Sequence, residues 1–510
     1  MKNYRNKNSI LKYAGILSCI LALVCTGCSD DLEVSDEKAV LQPGNFATES
    51  ELDLAVTGIY RDLLEAAQFT TFHVAAWGGD DITTHSASNK QDFREFDQRN
   101  VSNSNSRARD VFAGSYRVIR SANSVIVAED DIPVDPEIKN KFIGEAYFLR
   151  GYMYFHLVRI FGRLPIVTDL EVNNEITVSD AQAVYEQIES DFMRAEELLP
   201  DVYPDVQDGA PRPNKGSAKA FLAKLYLYWA GFPVKDNSKY AQAASTAKEV
   251  IDNKEAHDFD LVDNISDVFK LENRFNKESL FTIVFCQPCG LDNRKYGKLG
   301  RPADMRGWEE TLGEIKFFED FPESARKEAT YEFDLQDPDG VDLTWENFSK
   351  GETNPVIAKI SPDEIPDTFQ TSRNDFVMRY ADLLLLFAEA SARSGAVTPE
   401  AWEAYNKVRR RGVGLAPNAT DASDITSGDL AELAYTERKW ELAGEYERWH
   451  DLVRMERVEQ ALSNRTPAES RNNSGALLTQ TNPIIGSLGT DNYFAPLPQA
   501  EIDLLPSLGK

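Results

Sequence analysis

The sequence predicts a mainly all-α protein, a tetratricopeptide-like scaffold of helical hairpins carrying a loop-rich insertion. Three observations predict it. Apolar residues recur at helical spacing over most of the chain. Small residues line helices joined by short glycine-containing turns, as helices that approach closely require. Between Ala256 and Arg373 the helical period is lost, and glycine, proline, aspartate and asparagine accumulate.

The first helix opens at Thr48-Glu49-Ser50-Glu51. This is a capping box, in which the hydroxyl accepts from the Glu51 amide and the Glu51 carboxylate reaches back. Leu52, Val56, Tyr60 and Leu63 then share one face as far as Ala67. A second helix covers Arg107 to Glu129 and turns Val111, Tyr116, Ile119, Ala122 and Ile126 inward. The third, rich in aromatics, runs from Pro136 to Phe161 and stops at Gly162, with Pro165 just beyond. The fourth starts at Ser179-Asp180-Ala181-Gln182, again a capping box, and buries Val184, Ile188, Phe192, Ala195 and Leu199. Lys215 to Ala230 and Tyr240 to Ile251 form a hairpin around Gly231 and Pro233. Ala218, Ala220 and Ala223 line its first helix, and Ala388, Ala390, Gly395, Ala401 and Ala404 repeat the arrangement later. Inside the insertion, Ser279 to Phe285 reads as a strand. Helices return at Phe376 to Ser394, Pro399 to Arg411, Asp429 to Gly444 and Trp449 to Leu462, and a proline-containing tail follows. Trp229, Trp402 and Trp440 fall within helices and are expected in the core.

The N-terminus carries a different signal. Lys2, Arg5, Lys7 and Lys12 precede an apolar run from Tyr13 to Val24, which is shorter than the ~20 residues a membrane-spanning helix needs. A basic segment before a short apolar one reads as a signal peptide. It ends in Cys25-Thr26-Gly27-Cys28, similar to the lipobox of bacterial lipoproteins, with Cys25 where that pattern usually has leucine. Cleavage before Cys28 and lipid on its thiol would anchor the chain to a membrane without spanning it. Ser29, Asp30, Asp31 and Glu33 follow, similar to the surface-export signal of Bacteroidetes lipoproteins. The chain therefore divides into a leader (1–27), an acidic tether (28–45), an N-terminal helical region (46–255), the insertion (256–375) and a C-terminal helical region (376–510).

Losing the four leader charges takes the net charge from −28 to −32, which disfavours nucleic acid and anionic lipid as partners. Cys286 and Cys289 suit a local disulfide or a pair of structural thiols better than a redox or zinc site, because the mature chain would hold no second cysteine pair. His73, His85, His156, His257 and His450 are scattered without metal spacing. Asp337, Asp339, Asp342 and Glu346 around Gly340 partly match a calcium loop, but its first position would be Leu335, so an acidic turn is the better reading. No metal and no cofactor are expected. No GxSxG, HExxH, P-loop or dinucleotide fingerprint occurs, and no catalytic residue is assigned. Glu437, Glu441, Glu445, Arg438 and Arg448 lie near helical spacing and read as a salt-bridge network. Paired catalytic carboxylates, as in a helical glycosidase, would need one raised pKa that adjacent arginines oppose.

Ordered blocks along nearly the whole mature chain resemble the SusD/RagB family of nutrient-binding outer-membrane lipoproteins. They are Phe46 to Leu64 with Gly58-Ile59-Tyr60, Tyr116 to Asn123, Gly144 to Phe155, and Phe161 to Pro165. They continue with Arg379-Tyr380 to Glu389-Ala390, Asn406 to Arg409, Glu437 to Arg454, and Pro496 to Pro498 with Glu501-Ile502. The resemblance implies a SusD-like helical fold, a place on the cell surface at the outer membrane, and a partner in a SusC-type TonB-dependent transporter. It implies capture of oligosaccharides without catalysis; peptides or another nutrient on the same fold remain the alternative. Sugars need aromatic rings for their C–H faces and charged or amide groups for their hydroxyls. Two irregular regions hold both: one with Trp77, Asp80 and Asp81, the other with Tyr296, Arg301, Arg306, Trp308 and Trp345. The expected ligand-binding residues are Trp77, Asp80, Asp81, Tyr296, Arg306 and Trp308.

Overall fold

The computed structural model describes residues 44–509, except 87, 172, 204–210, 361–369, 464, 466–468, 472–476 and 481. The leader, Cys28 and the acidic tether lie outside the described residues. No described helix is long and apolar enough to cross a membrane.

The helical scaffold forms as its caps dictate. Glu49–Ala67 begins at Thr48 with both hydrogen bonds of the capping box, and Leu52, Val56, Ile59 and Leu63 face inward. Ser106–Ile126 is capped by Asn105. Pro136–Phe161 has Asp135 as its cap and proline in its first turn, and it ends on Gly162 at φ +73°. A Cβ at Gly151 would stand 3.0 Å from the Phe192 ring, and one at Gly144 2.9 Å from Leu199. These two glycines let the long helix lie against Ala181–Leu198. Here the expected capping box gives way to a single side-chain cap one residue later. Asp180, not Ser179, accepts from the Ala183 amide at 3.0 Å, because the Ser179 backbone is already paired with Leu164. Lys215–Trp229 and Lys239–Asp252 complete the predicted hairpin.

The C-terminal helices are Tyr380–Arg393, Pro399–Gly412, Leu430–Glu441, Arg448–Arg454 and Val458–Leu462. Two expectations are corrected. Asp375–Arg379 is not the start of a helix; it pairs antiparallel with the strand Ser279–Ile283, Ser279 opposite Arg379 and Ile283 opposite Asp375. That pairing consumes its backbone groups, so the helix begins at Tyr380. The expected Trp449–Leu462 helix is broken at Glu456, whose φ is +53°. The joining region after the first helix is also more ordered than predicted, with a 3-10 segment Thr70–Gly78 and a short helix Gln91–Asp97.

One apolar core runs from Phe46 to Leu497 and takes in Phe281, Phe317 and Ile357 from the insertion. Trp229 is buried in it, and Trp402 and Trp440 are partly buried against it. The insertion also has a small cluster of its own, Met305, Leu335, Phe348 and Val356, with Trp345 against it. Cys286 and Cys289 are joined by a disulfide across one turn. The acidic turn closes on itself: Asp337 Oδ1 accepts from the amides of Asp339 at 2.9 Å and Val341 at 2.8 Å.

The charged helical blocks form a buried network, as their spacing predicts. Glu441 accepts from Arg411 at 2.7 Å and Arg379 at 3.0 Å, and lies 2.8 Å from Arg326 Nε. Burial alone would raise its pKa, but Arg411, Arg326 and Arg379 hold it far below the ordinary value. A second set links Arg454 to Glu389 and Asp451, and Lys224 to Asp382 and Glu447.

Candidate functional site

The two irregular regions singled out by composition do meet. Ile82 and Thr83 pair antiparallel with Gly313 and Leu312, and the His85 amide extends the contact by donating to the Glu309 carbonyl at 3.0 Å. The two tryptophans flank this junction in opposite ways. Trp77 is fully buried, its ring 4.4 Å from Phe93, and its Nε1–H donates to the Glu310 carbonyl at 3.2 Å. Trp308, two residues before that carbonyl, is 49% exposed.

Trp308 is carried on a turn fixed mainly by its backbone. Its amide donates to the Lys298 carbonyl at 2.6 Å, and that of Glu309 to the Arg301 carbonyl at 3.1 Å. A Cβ on Gly307 would fall 1.9 Å from that same Arg301 oxygen, so the close approach requires glycine. Arg306 and Glu309 adopt φ of +60° and +51°. Glu309 locks the turn from within: its carboxylate accepts from the amides of Ala303 at 2.9 Å and Glu352 at 3.3 Å. His85 Nε2 approaches Glu309 at 3.2 Å and Glu352 at 4.0 Å. The Ser86 amide donates to Glu352 at 3.1 Å. Burial pushes the Glu309 carboxyl up to about 7 despite the amides that favour its charged form, and burial also lowers the His85 imidazole.

Next to this turn a cavity of about 1060 Å³ is lined by Arg301, Met305, Glu332, Phe333, Asp334 and Gln336, among others. Phe333 is 48% exposed. Arg306 is exposed on the turn itself. One exposed ring, a guanidinium group, carboxylates and an amide thus line the cavity, and the turn that supplies its Arg301 and Met305 also carries the exposed Trp308 and Arg306. That set can cover a C–H face and hold hydroxyls.

The remaining predicted residues lie elsewhere. Trp77 offers no exposed face; it supports the turn from below. Asp80 is paired with Arg448, at 2.6 and 3.2 Å. Asp81 is buried and accepts from the Gly444 amide at 3.0 Å, and burial raises its carboxyl to about 6. Tyr296 is buried, its hydroxyl donating to Asp375 at 3.1 Å, where Lys295 and His73 also bind. Sequence reasoning missed His85, Glu309, Glu352 and Phe333. None of them stands in a motif; the pairing of Ile82–Thr83 with Leu312–Gly313 brings His85 to Glu309, and hydrogen bonds to Glu309 and Ser86 bring Glu352.

A family model described as "Starch-binding associating with outer membrane" matches residues 30–227, and one described as "SusD family" matches residues 214–510. The chain belongs to the SusD family. A SusD-like protein of Formosa agariphila is 26% identical over 476 residues, covering 87% of this chain and 91% of its own length. The solved structure of a SusD homolog from Bacteroides thetaiotaomicron has a TM-score of 0.75 at 24% identity, covering 91% of this chain and 97% of that one. A laminarin-binding SusD-like protein has a TM-score of 0.70 at 24% identity, covering 91% and 98%. In this SusD-family chain the sequence blocks that carry the resemblance fall on caps, close helix contacts and buried ion pairs. Trp308, Arg306, Phe333, His85, Glu309 and Glu352 all lie outside them.

Proposed function

We propose that this protein is a cell-surface nutrient-binding lipoprotein that captures oligosaccharides at the Trp308 groove and passes them to a SusC-type TonB-dependent transporter. The observation that carries the reading is the strand junction that seats an exposed tryptophan, on a turn fixed by its own backbone, beside a polar cavity of about 1060 Å³. Family membership, the starch-binding description of one family model and the laminarin-binding neighbour support a carbohydrate ligand. Cys28 is the proposed lipid attachment, and the outer membrane the proposed location. Trp308 and Phe333 would stack on sugar faces, while Arg301, Arg306 and Asp334 would hold hydroxyls. The protein works here as a binder, not as a hydrolase.

The test is calorimetry of the Trp308→Ala variant against a glycan panel, with thermal unfolding and product analysis alongside. Losing a central stacking ring should weaken binding by ~2 kcal/mol or more, roughly thirtyfold, with an unchanged melting point. Normal affinity in the folded variant would place the site elsewhere, and released product would make the protein an enzyme. For the partner, affinity purification from native membranes in mild detergent should recover a large β-barrel protein. Repeated recovery of the lipoprotein alone would refute that part.

A further inference from the structure

A second cavity, of about 520 Å³, lies between Ile315–Asp320 and the helices Leu430–Glu441, Arg448–Arg454 and Val458–Leu462. Its charged lining is Lys316, Lys439, Arg448, Arg457 and Arg465 against Asp80 and Asp320. The lining itself thus carries more basic than acidic side chains, in a chain whose formal net charge is −28.

Four of the five cations have carboxylate partners. Arg448 is 2.6 Å from Asp80, and Arg457 is 2.7 Å from Glu432. Arg465 is paired with Asp97 and Glu314, and Lys316 with Asp320. Lys439 differs: among the described residues its ammonium has no hydrogen bond or ion pair, only the rings of Trp440 at 4.2 Å and Phe317 at 4.8 Å. Burial depresses its pKa, and Arg448 and Lys316 lower it further, against the opposing pull of Asp80 and Asp320. Arg457 and Arg448 share the cavity lining with it, 4.4 and 5.7 Å from the Tyr435 ring.

We propose that this basin is a second saccharide site, one that takes the acid group of an anionic sugar, a uronate or a sulfate ester. Lys439 supplies an ammonium that no carboxylate holds in a hydrogen bond among the described residues, and Arg448 and Arg457 flank the acid group. The cavity is far larger than an oxyanion and falls within the range of small-ligand pockets. The chain's overall charge disfavours extended polyanions such as nucleic acid or an anionic membrane, whereas a single acid group meets mainly the basin's own side chains. The inference is independent of the Trp308 reading, since the two cavities share no lining residue.

Calorimetry of the purified full chain at low salt would use three probes: a galacturonate trisaccharide, its neutral methyl ester, and sodium sulfate. A sulfated trisaccharide would follow. An acidic trisaccharide should bind, and the ester should bind ~10-fold more weakly or worse, as the loss of a charge-assisted hydrogen bond implies. Lys439→Met should weaken acid binding by a similar factor at an unchanged melting temperature. Gln460→Glu, on the exposed rim of the basin, should weaken it by repulsion. Trp308→Ala should leave this binding intact, which separates the two sites. Equal affinity for acid and ester, or unchanged binding in both basin variants, would overturn the proposal. So would failure of both acidic trisaccharides to bind. Sodium sulfate binding as tightly as the trisaccharides would reduce the basin to an oxyanion site and overturn the saccharide assignment.

Discussion

Glu441 and Trp308 belong to two regions that hold themselves still by different means. In the C-terminal helices, Glu441 is fully buried among Arg326, Arg379 and Arg411, and these charges tie Leu430–Glu441 to three other elements. In the insertion, Trp308 stands half exposed on a turn whose fixed points are backbone carbonyls, the Glu309 carboxylate and a glycine contact. Regular helices satisfy their own backbone, so their mutual placement is left to side chains. An irregular segment must satisfy its backbone first, and it does so locally. The difference predicts where damage spreads. A broken scaffold pair should be felt by the whole fold, whereas a change at the turn's surface should be felt by the ligand.

The largest effect should come from Glu441→Ala. Three guanidinium groups would lose a shared acceptor in a fully buried site, and removing one partner of a buried ion pair typically costs ~3–5 kcal/mol. Urea unfolding would read this directly. The surface pair Arg61–Glu65, 72% and 46% exposed, is the control, and Arg61→Ala should stay within ~0.5 kcal/mol. If both variants unfolded alike, the distinction between scaffold and surface charges would collapse.

How much of this was legible beforehand follows the same division. Helix ends marked by local chemistry were readable: Thr48 with Glu51, Pro136, and Gly162 all act within one turn of the chain. The salt-bridge reading of Glu437 to Arg454 also held, because regular spacing places charges on known faces. The strand Asp375–Arg379 was missed, since its partner lies about a hundred residues away and its apolar residues merge into the next helix. At the proposed site, composition picked out two regions that meet at the strand junction, but not which of their side chains are exposed there. Trp77 and Trp308 both neighbour glycines and charged residues, and only tertiary pairing buries one and exposes the other. His85 and Glu352 carried no signal at all, being single residues joined across a distance that sequence spacing does not encode.

A smaller and more discriminating prediction concerns Trp77. Trp77→Phe keeps an aromatic ring beside Phe93 but removes the Nε1–H that donates to the Glu310 carbonyl. That carbonyl is inside the strand junction, where a lost partner leaves a buried acceptor unsatisfied at ~1–3 kcal/mol. The variant should therefore melt earlier than wild type, though less drastically than Glu441→Ala. It should also bind glycan more weakly despite never touching it, because the freed carbonyl lies two residues from Trp308 on the same turn. Trp308→Ala should do the reverse, losing affinity without losing stability. The two substitutions thus differ in kind, and calorimetry with thermal unfolding on both reads the difference. If Trp77→Phe lowered the melting point and left affinity untouched, the junction would be a structural clasp alone, and the Trp308 turn would hold its shape through its own backbone bonds.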